Sequence, residues 1–92
     1  MMTIEFTSRF KKDLKTAKKR GYNIQILYDV VDILVSGEPL PEKYADHPLI
    51  GNYKGCRECH LQSDWLLIYQ IINNELTLLL TRTGTHSDLF GE

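Results

Sequence analysis

The sequence predicts an α+β fold in which a strand, a helical hairpin and a three-stranded antiparallel meander pack as a two-layer sandwich. Three observations support this prediction. Residues 6–35 hold two stretches with apolar side chains at helical spacing, residues 53–83 hold three apolar stretches separated by short turn sequences, and the 92 residues suffice for one thin core. We therefore expect a single domain that spans residues 1–92.

The first half of the chain is assigned to one strand and two helices. Residues 3–6 form a strand that can add at the edge of a sheet. Thr7 or Ser8 can cap a helix that continues to Gly21, and Asn23 can cap a second helix that ends where a glycine and two prolines follow. The apolar positions at helical spacing are Phe6, Phe10, Leu14 and Ala17 in the first helix and Ile24, Leu27, Tyr28, Val31, Leu34 and Val35 in the second.

The second half begins with a long connection and continues as strands. Residues 38–52 form the connection, and loops of this length inside a compact domain are usually functional. Three strand candidates follow at residues 53–61, 65–72 and 75–83, with short turns between them. The second and third candidates are almost continuously apolar, so we expect both faces of that part of the sheet to be covered.

The net charge of −1 conceals an uneven distribution. Residues 1–20 contain seven Lys or Arg and two acidic residues, whereas residues 21–92 contain four and ten. A basic segment on an otherwise acidic domain indicates a polyanion or an acidic protein as partner, although a solvated helix face shows the same pattern. The lysines of the first helix are Lys11, Lys12, Lys15, Lys18 and Lys19.

Nothing in the sequence indicates export or membrane insertion. No apolar run is long enough to span a bilayer, and charges interrupt the opening residues MMTIEFTSRFKKDL in a way that a signal peptide does not allow. We expect a cytoplasmic protein that does not associate with membranes.

The two cysteines lie in Cys56-Arg-Glu-Cys-His60, which matches the pattern of covalent haem attachment. On a strand, side chains three residues apart point to opposite faces, so these two thiols cannot hold one ligand. Haem attachment of this type also requires export. We predict reduced thiols without a functional role, and no cofactor.

Three histidines lie in the polar segments that flank or interrupt the meander: His47, His60 and His86. A strand places Glu58 on the same face as His60, and Asp64 follows at the next turn, within reach of His60. Histidine titrates near neutrality and can accept or donate a proton in a transition state. The set therefore favours acid–base catalysis.

A cation and an aromatic ring accompany the histidines. Arg82 ends the last strand, and Gly84 lets the chain fold back so that His86 can approach the sheet. An arginine can hold phosphate oxygens through paired hydrogen bonds, and Phe90 can stack on a base of single-stranded RNA. Lys54 shares the face of the histidine-bearing strand. The combination suits phosphodiester cleavage, because RNA supplies its own nucleophile in the 2′-hydroxyl group.

Three ordered blocks of the sequence resemble the YafQ branch of the RelE/ParE toxin superfamily. They are Asp46-His-Pro-Leu49, Gly55-Cys-Arg-Glu-Cys-His60 with Asp64-Trp-Leu-Leu-Ile-Tyr69, and Arg82-Thr-Gly-Thr-His-Ser-Asp-Leu-Phe90. The resemblance covers nearly the whole chain and implies a RelE-like fold. It also implies a bacterial type II toxin that cuts mRNA in the ribosomal A site without metal and is neutralised by a cognate antitoxin.

The same resemblance implies roles for individual residues. The catalytic set that it implies is His47, Glu58, His60, Asp64 and His86. In the resemblance, Arg82 matches a phosphate-binding arginine and Phe90 a base-stacking aromatic residue. Lys54 is added as a substrate contact because of its position on the predicted strand. The five lysines of the first helix would contact 16S ribosomal RNA, or equally an acidic antitoxin.

These assignments lead to a hypothesis of ribosome-dependent RNA cleavage. One histidine, with His60 and His86 as the leading candidates, would take the proton of the 2′-hydroxyl. Another histidine, or Asp64 with a raised pKa, would protonate the leaving 5′-oxygen. Arg82 would stabilise the pentacoordinate phosphate. The expected products carry a 2′,3′-cyclic phosphate and a 5′-hydroxyl.

Three alternatives remain open at this point. Members of the wider superfamily poison DNA gyrase by binding it, which requires no acid–base set, and the three histidines argue against that function. A degenerate toxin could also act as a non-catalytic regulatory or binding domain. Histidines and carboxylates are zinc ligands as well, but no H-E-x-x-H or similar close spacing is present, so metal hydrolysis ranks below acid–base chemistry.

Overall fold

A computed structural model describes residues 2–91 and shows a five-stranded sheet with two helices packed against one face. The strand order in the sheet is β1-β5-β4-β3-β2. The elements are β1 (Thr3–Phe6), α1 (Ser8–Lys19), α2 (Ile24–Ser36), β2 (His47–Pro48), β3 (Arg57–Gln62), β4 (Trp65–Ile72), β5 (Thr77–Gly84) and α3 (His86–Phe90), with short 3-10 turns at Glu42–Tyr44 and Gly51–Tyr53.

The helical hairpin forms where its capping residues predict it. The Thr7 hydroxyl accepts the Phe10 backbone N–H at 2.9 Å, and the Asn23 side chain accepts the Gln25 N–H at 3.1 Å, so each helix has one of its unpaired first-turn donors satisfied. At the other end of α2, Gly37 adopts a left-handed conformation with φ of 82°. Among residues 2–91, no helix is long and apolar enough to cross a membrane.

The sheet confirms the predicted meander and the edge position of the first strand. Strands β3, β4 and β5 pair antiparallel in sequence order, and β1 joins β5 in parallel. One face of this sheet forms the main core with the two helices. The buried members of that core are Phe10, Ala17, Leu27, Val30, Val31, Leu34, Val35, Cys59, Leu61, Trp65, Leu67, Tyr69, Leu78 and Leu80.

Boundaries at both ends of the predicted meander were wrong. At its end, β5 begins at Thr77 rather than at residue 75, because the turn occupies residues 73–76. At its start, two features differ. The connection is not wholly a loop, because His47–Pro48 forms the edge strand β2 and pairs with β3. The first strand of the meander begins at Arg57 rather than at residue 53, because Gly51–Tyr53 forms a 3-10 turn and Gly55 adopts a φ of 93°. Apolar and polar alternation carries no signal for either irregularity.

The end of the described chain is a short helix that the sequence did not predict. Thr85 caps α3 through a capping box, in which its hydroxyl accepts the Asp88 N–H while the Asp88 carboxylate accepts the Thr85 N–H, both at 3.0 Å. Gly84 is required directly before this box. A Cβ atom at position 84 would lie 2.9 Å from the Asp88 carboxylate. The capping box therefore fixes the direction in which the chain leaves β5.

A series of buried hydrogen bonds links β4 to β5 at the edge of the main core. The Trp65 indole N–H donates to the Thr83 hydroxyl at 2.9 Å, and that hydroxyl donates to the Leu66 carbonyl at 2.6 Å. Both side chains are almost fully buried. The Trp65 N–H, the Thr83 hydroxyl and the Leu66 carbonyl thus all have hydrogen-bond partners in a region from which water is excluded.

We predict that Thr83→Val lowers the free energy of unfolding by about 1–3 kcal/mol, because it leaves the buried Trp65 N–H without an acceptor. Chemical denaturation followed by tryptophan fluorescence measures the change. Thr16→Val, the same substitution at an exposed position of α1, is the control and should change stability much less. Equal losses of stability at the two positions would contradict the stabilising role of the buried hydrogen bond between Trp65 and Thr83.

Candidate active site

The face of the sheet opposite the two helices carries the candidate site. In register across four strands, His47 of β2 lies opposite Glu58 of β3, Glu58 opposite Ile68 of β4, and Ile68 opposite Arg82 of β5. Opposing residues of paired strands project from the same face. Part of this face is covered by a small apolar cluster, whose buried members are Cys56, Leu66, Ile68 and Leu89.

A β-bulge brings Arg82 to this face. Leu80 lies opposite Tyr69 and points into the main core, and strict alternation would place Arg82 on the same side. The register shifts between Ile68 and Tyr69, so that Arg82 lies opposite Ile68 instead. The carbonyl of the extra residue, Thr81, accepts a hydrogen bond from the Thr7 hydroxyl at 2.7 Å.

A buried carboxylate lies beneath two of the three imidazoles. Glu58 is only 4% exposed, and one of its oxygens, Oε1, lies 3.2 Å from Nε2 of His60 and 3.7 Å from Nε2 of His47. Buried carboxylates are costly unless polar or charged groups compensate them. The two rings provide that compensation, and the shared oxygen holds them within 6.4 Å of each other, centroid to centroid.

His47 is anchored through its neighbour in the chain. Asp46 accepts a hydrogen bond from Nε of Arg57 at 2.6 Å and another from the Tyr69 hydroxyl. The His47 ring is oriented further by the Ala45 carbonyl, 2.9 Å from Nδ1. These contacts join the connection to β3 and β4 immediately before β2, so the exposed His47 side chain keeps a defined place at the rim.

His86 is oriented by Asp64. One oxygen of that carboxylate, Oδ1, lies 2.7 Å from Nδ1 of His86 and accepts the His86 backbone N–H at 3.0 Å. These two hydrogen bonds, the backbone one first, lower the pKa of Asp64. An ionised carboxylate can only accept, so Nδ1 of His86 carries a hydrogen and the neutral ring has its lone pair on Nε2.

Two expectations about Asp64 were therefore wrong. Its partner is His86 and not His60, because the start of α3 brings the His86 backbone and ring to the β3–β4 turn. Its pKa is lowered and not raised, because it is exposed and accepts two hydrogen bonds. Asp64 is thus suited to hold an imidazole and is poorly suited to donate a proton itself.

The three imidazoles meet on one surface. The ring centroids of His60 and His86 lie 5.8 Å apart, and those of His47 and His60 lie 6.4 Å apart. One potential ligand atom each from Glu58, His60 and His86 falls within 4.8 Å of the others. The side chains that the sequence separates by almost forty residues thus form a continuous polar row, with β2 at one end and α3 at the other.

Arg82 lies beside this row but is already paired. Its Nε and Nη2 atoms donate to the two oxygens of Asp13 at 2.7 and 3.1 Å, and Nη1 lies 3.4 Å from the Tyr53 hydroxyl. The hydrogen bonds that Arg82 donates to Asp13 raise the pKa of the guanidinium above its ordinary value. Neither Asp13 nor Tyr53 was a predicted site residue. The sequence offered one hint, since Asp13 is the only acidic residue of α1.

An aromatic pair closes the end of the site. The rings of Tyr53 and Phe90 are perpendicular with centroids 5.7 Å apart, and the Phe90 ring lies 6.4 Å from that of His86. The Tyr53 hydroxyl also donates to the Leu89 carbonyl at 3.4 Å. Phe90 remains 36% exposed, so one part of its ring faces solvent beside the imidazoles.

The remaining predicted residues lie outside this cluster. Lys54 is exposed and precedes β3, so the strand alternation that placed it beside Glu58 does not extend to it. Cys56 and Cys59 lie on opposite faces of the sheet, as predicted, and both are free thiols. Burial raises the pKa of Cys59 to about 12. The lysines of the basic stripe, all exposed on α1, are Lys11, Lys12, Lys15, Lys18 and Lys19.

An ion pair fastens α3 to α1. Arg20 donates to both oxygens of Asp88, at 2.6 and 3.2 Å. This bidentate pair and the Thr85 N–H share one carboxylate, so the cap of α3 and its tie to α1 depend on the same side chain. His86 and Phe90 both belong to α3, and their positions follow from it.

Comparison with known proteins identifies the family. The family described as "Bacterial toxin of type II toxin-antitoxin system, YafQ" matches residues 2–91. The chain belongs to this YafQ family. It is 42% identical over 89 residues to the mRNA interferase toxin YafQ of Escherichia coli K12, and the match covers 96% of this chain and 95% of that protein.

Solved structures agree with the YafQ assignment. A metal-bound toxin from Helicobacter pylori has 52% sequence identity and a TM-score of 0.91, and the match covers 98% of this chain and 100% of that one. YafQ in the E. coli DinJ–YafQ complex has 41% identity and a TM-score of 0.88, with 99% and 100% covered. The RelE-like α+β fold expected from the sequence is thereby confirmed.

The Asp88 pair should make stability depend on pH. The Arg20 guanidinium, followed by the Thr85 N–H, holds the pKa of Asp88 well below its usual range. A carboxyl group whose pKa falls on folding stabilises the folded state above its unfolded pKa, about 3.9, and loses that contribution as the pH drops through the folded value. The contribution is therefore complete at neutral pH and declines below about pH 5.

We predict that the stability difference between wild type and Asp88→Asn is largest near pH 7 and shrinks as the pH falls towards 3. Urea unfolding at a series of pH values measures it. Asp32→Asn, which removes the same charge from an exposed site on α2, is the control. A difference that stays constant over this range would contradict the pairing.

Proposed function

We propose that the protein is a ribosome-dependent endoribonuclease that cuts mRNA by acid–base chemistry and is held inactive by a cognate antitoxin. The observation that carries the proposal is the approach of His60 and His86, with ring centroids 5.8 Å apart, on a surface that also holds Glu58 and Arg82. Its E. coli relative is named an mRNA interferase toxin.

His86 has the orientation of a general base. Asp64 keeps the hydrogen on Nδ1, so the lone pair of the neutral ring is on Nε2. That nitrogen takes the proton from the 2′-hydroxyl as the 2′-oxygen attacks phosphorus. The arrangement is the familiar one in which a carboxylate fixes the tautomer of the imidazole that does the proton transfer. Asp64 thus serves catalysis through His86.

His60 then acts as the general acid. In its protonated form it gives one proton to the 5′-oxygen as the bond from that oxygen to phosphorus breaks. Glu58 lies 3.2 Å from Nε2 of His60 and balances the charge of the imidazolium before the transfer. The products are a 2′,3′-cyclic phosphate and a 5′-hydroxyl, and the two histidines exchange protonation states over one turnover. His47, farther along the row, supports Glu58 from the other side.

Substrate contacts complete the mechanism. Arg82 stabilises the charge that develops on the pentacoordinate phosphate, where a fixed cation has most effect on the rate. Phe90 stacks on the base next to the cut, which requires RNA whose bases are unstacked. Lys54, exposed at the end of the Gly51–Tyr53 turn, contacts the RNA backbone at the rim.

The basic stripe binds the protein to the ribosome. Its five lysines project from one side of α1, and they neutralise phosphates of 16S ribosomal RNA at the decoding site, where the mRNA codon in the A site reaches the imidazoles. An acidic antitoxin could occupy the same stripe. A relative has been solved in complex with the antitoxin DinJ, which supports a cognate antitoxin for this chain.

We predict that His86→Ala lowers the rate of mRNA cutting by about 10²- to 10⁴-fold, as expected for loss of a general base. Primer extension on a translated message, with and without ribosomes, measures the cutting. Ser87→Ala, an exposed neighbour in α3, is the matched control and should cut normally. Wild-type cutting by the His86 variant would refute the proposed base, and equal cutting of naked RNA would refute ribosome dependence.

The same groups also fit a transition metal ion. A carboxylate oxygen and two imidazole nitrogens lie within 4.8 Å of one another, which suits Zn²⁺ or Cu²⁺, and the H. pylori relative was solved with metal bound. The residues that would hold the ion are Glu58, His60 and His86. A metal bound through Nε2 of His86 would occupy the lone pair that the proposed base requires, so it would block proton transfer by that ring.

We predict that Zn²⁺ and Cu²⁺ inhibit cleavage and that Glu58→Gln weakens this inhibition, because the variant lacks one anionic ligand. Chelation with EDTA should leave the activity of the purified wild type unchanged. Cleavage assays with metal titration measure both effects. Loss of activity on chelation and recovery with Zn²⁺ would contradict acid–base cleavage and would make the ion a cofactor.

A further inference from the structure

Asp13 is an acidic side chain with an unusual location. It is the only acid in α1, a helix whose other charged residues are all basic, yet it points away from the solvent and towards the strand β5. Three residues after Phe10 and four before Ala17, it lies on the border of the buried side of the helix. Its side chain is 15% exposed.

Its contacts with β5 are numerous for one carboxylate. Oδ2 accepts Nε of Arg82 at 2.7 Å and the Thr83 backbone N–H at 3.2 Å, while Oδ1 accepts Nη2 of Arg82 at 3.1 Å. The backbone bond fixes the carboxylate relative to the strand, and the two side-chain bonds fix the plane of the guanidinium. Asp13 thereby holds the Arg82 guanidinium in a fixed position relative to the backbone of β5.

The pairing with Asp13 uses only part of the hydrogen-bonding capacity of the guanidinium. Arginine has five N–H donors, of which Asp13 takes two and the Tyr53 hydroxyl takes one. One donor remains on each of the two terminal nitrogens. Two donors on the terminal nitrogens are what arginine uses to bind two oxygens of one phosphate. Asp13 therefore binds Nε and Nη2, and one donor on each terminal nitrogen is left over on a side chain that is 10% exposed.

We propose that Asp13 is a positioning residue for RNA cleavage, which holds Arg82 so that its terminal nitrogens meet the scissile phosphate. The inference rests on the proposed function and extends it to a residue of the helix. Without Asp13, the long side chain of Arg82 samples other rotamers, and ordering it again costs part of the stabilisation that it gives to the transition state. The effect falls on the rate of cutting more than on RNA binding, which the basic stripe dominates.

A purely structural function would have different consequences. Asp13 also compensates a buried cation, so removing it lowers stability in either case. Two measurements distinguish a positioning role from a purely structural one. The first is the rate constant of cutting by fully folded protein. The second is whether the effects of substitutions at Asp13 and Arg82 on this rate constant are additive as free energies. If Asp13 acts through Arg82, its substitution has no further effect once the guanidinium is gone.

The test is a double-variant cycle with Asp13→Asn, Arg82→Gln and the two combined, in which single-turnover cutting of a ribosome-bound message is measured. We expect Asp13→Asn to lower the rate constant by about 10- to 100-fold, with the protein concentration for half-saturation little changed. Arg82→Gln should lower it by about 10²- to 10³-fold, and the combined variant should cut no more slowly than Arg82→Gln alone. Asp32→Asn is the control for loss of one negative charge from a helix.

Two outcomes would overturn the inference while the proposed function stands. One is a rate for Asp13→Asn within twofold of wild type, and the other is a combined variant in which the two losses multiply. A wild-type protein that cuts no message would overturn the proposed function itself, and the inference with it. If thermal melting shows Asp13→Asn unfolded, Asp13→Glu retains the charge and shifts the carboxylate by one methylene. A folded Asp13→Glu protein should cut more slowly than wild type, and an unchanged rate would contradict positioning.

Discussion

The buried carboxylate of Glu58 is the constraint on which the rest of the site depends. A carboxylate that is 4% exposed needs compensating partners, and here the partners are the imidazoles of His47 and His60. The short strand β2 carries one of these rings to the sheet edge, and β3 carries the other. Replacing Glu58 by an apolar residue would remove the reason for both rings to converge. The core on the other face would not be affected directly.

The elements with regular periodicity could be predicted from the sequence. The apolar residues of α1 and α2 recur at helical spacing, and Thr7 and Asn23 cap these helices where their side chains predict it. The strand β4 was predicted with its observed bounds, because its apolar run is uninterrupted between two turn sequences. Local rules were sufficient for these elements, since the interactions that decide them lie within a few residues along the chain.

The features that complete the site depend on contacts between distant parts of the chain. Arg82 and Asp13 are 69 residues apart in sequence, and Arg20 and Asp88 are 68 apart. The bulge that turns Arg82 to the imidazole face exists only in the pairing of β4 with β5. No periodicity within either strand reveals it. For the same reason the sequence placed Asp64 beside the histidine nearest in the chain, whereas its partner belongs to the helix that follows β5.

Acid–base cleavage by these imidazoles requires the 2′-hydroxyl of the substrate as nucleophile. The most direct test is single-turnover cutting of a message with one 2′-deoxynucleotide on the 5′ side of the cut, compared with the unmodified message. We expect the deoxy message to remain intact at that position and the unmodified one to yield a 2′,3′-cyclic phosphate end. Cutting of both messages at the same rate would show that water or another group attacks the phosphate, and would contradict the mechanism.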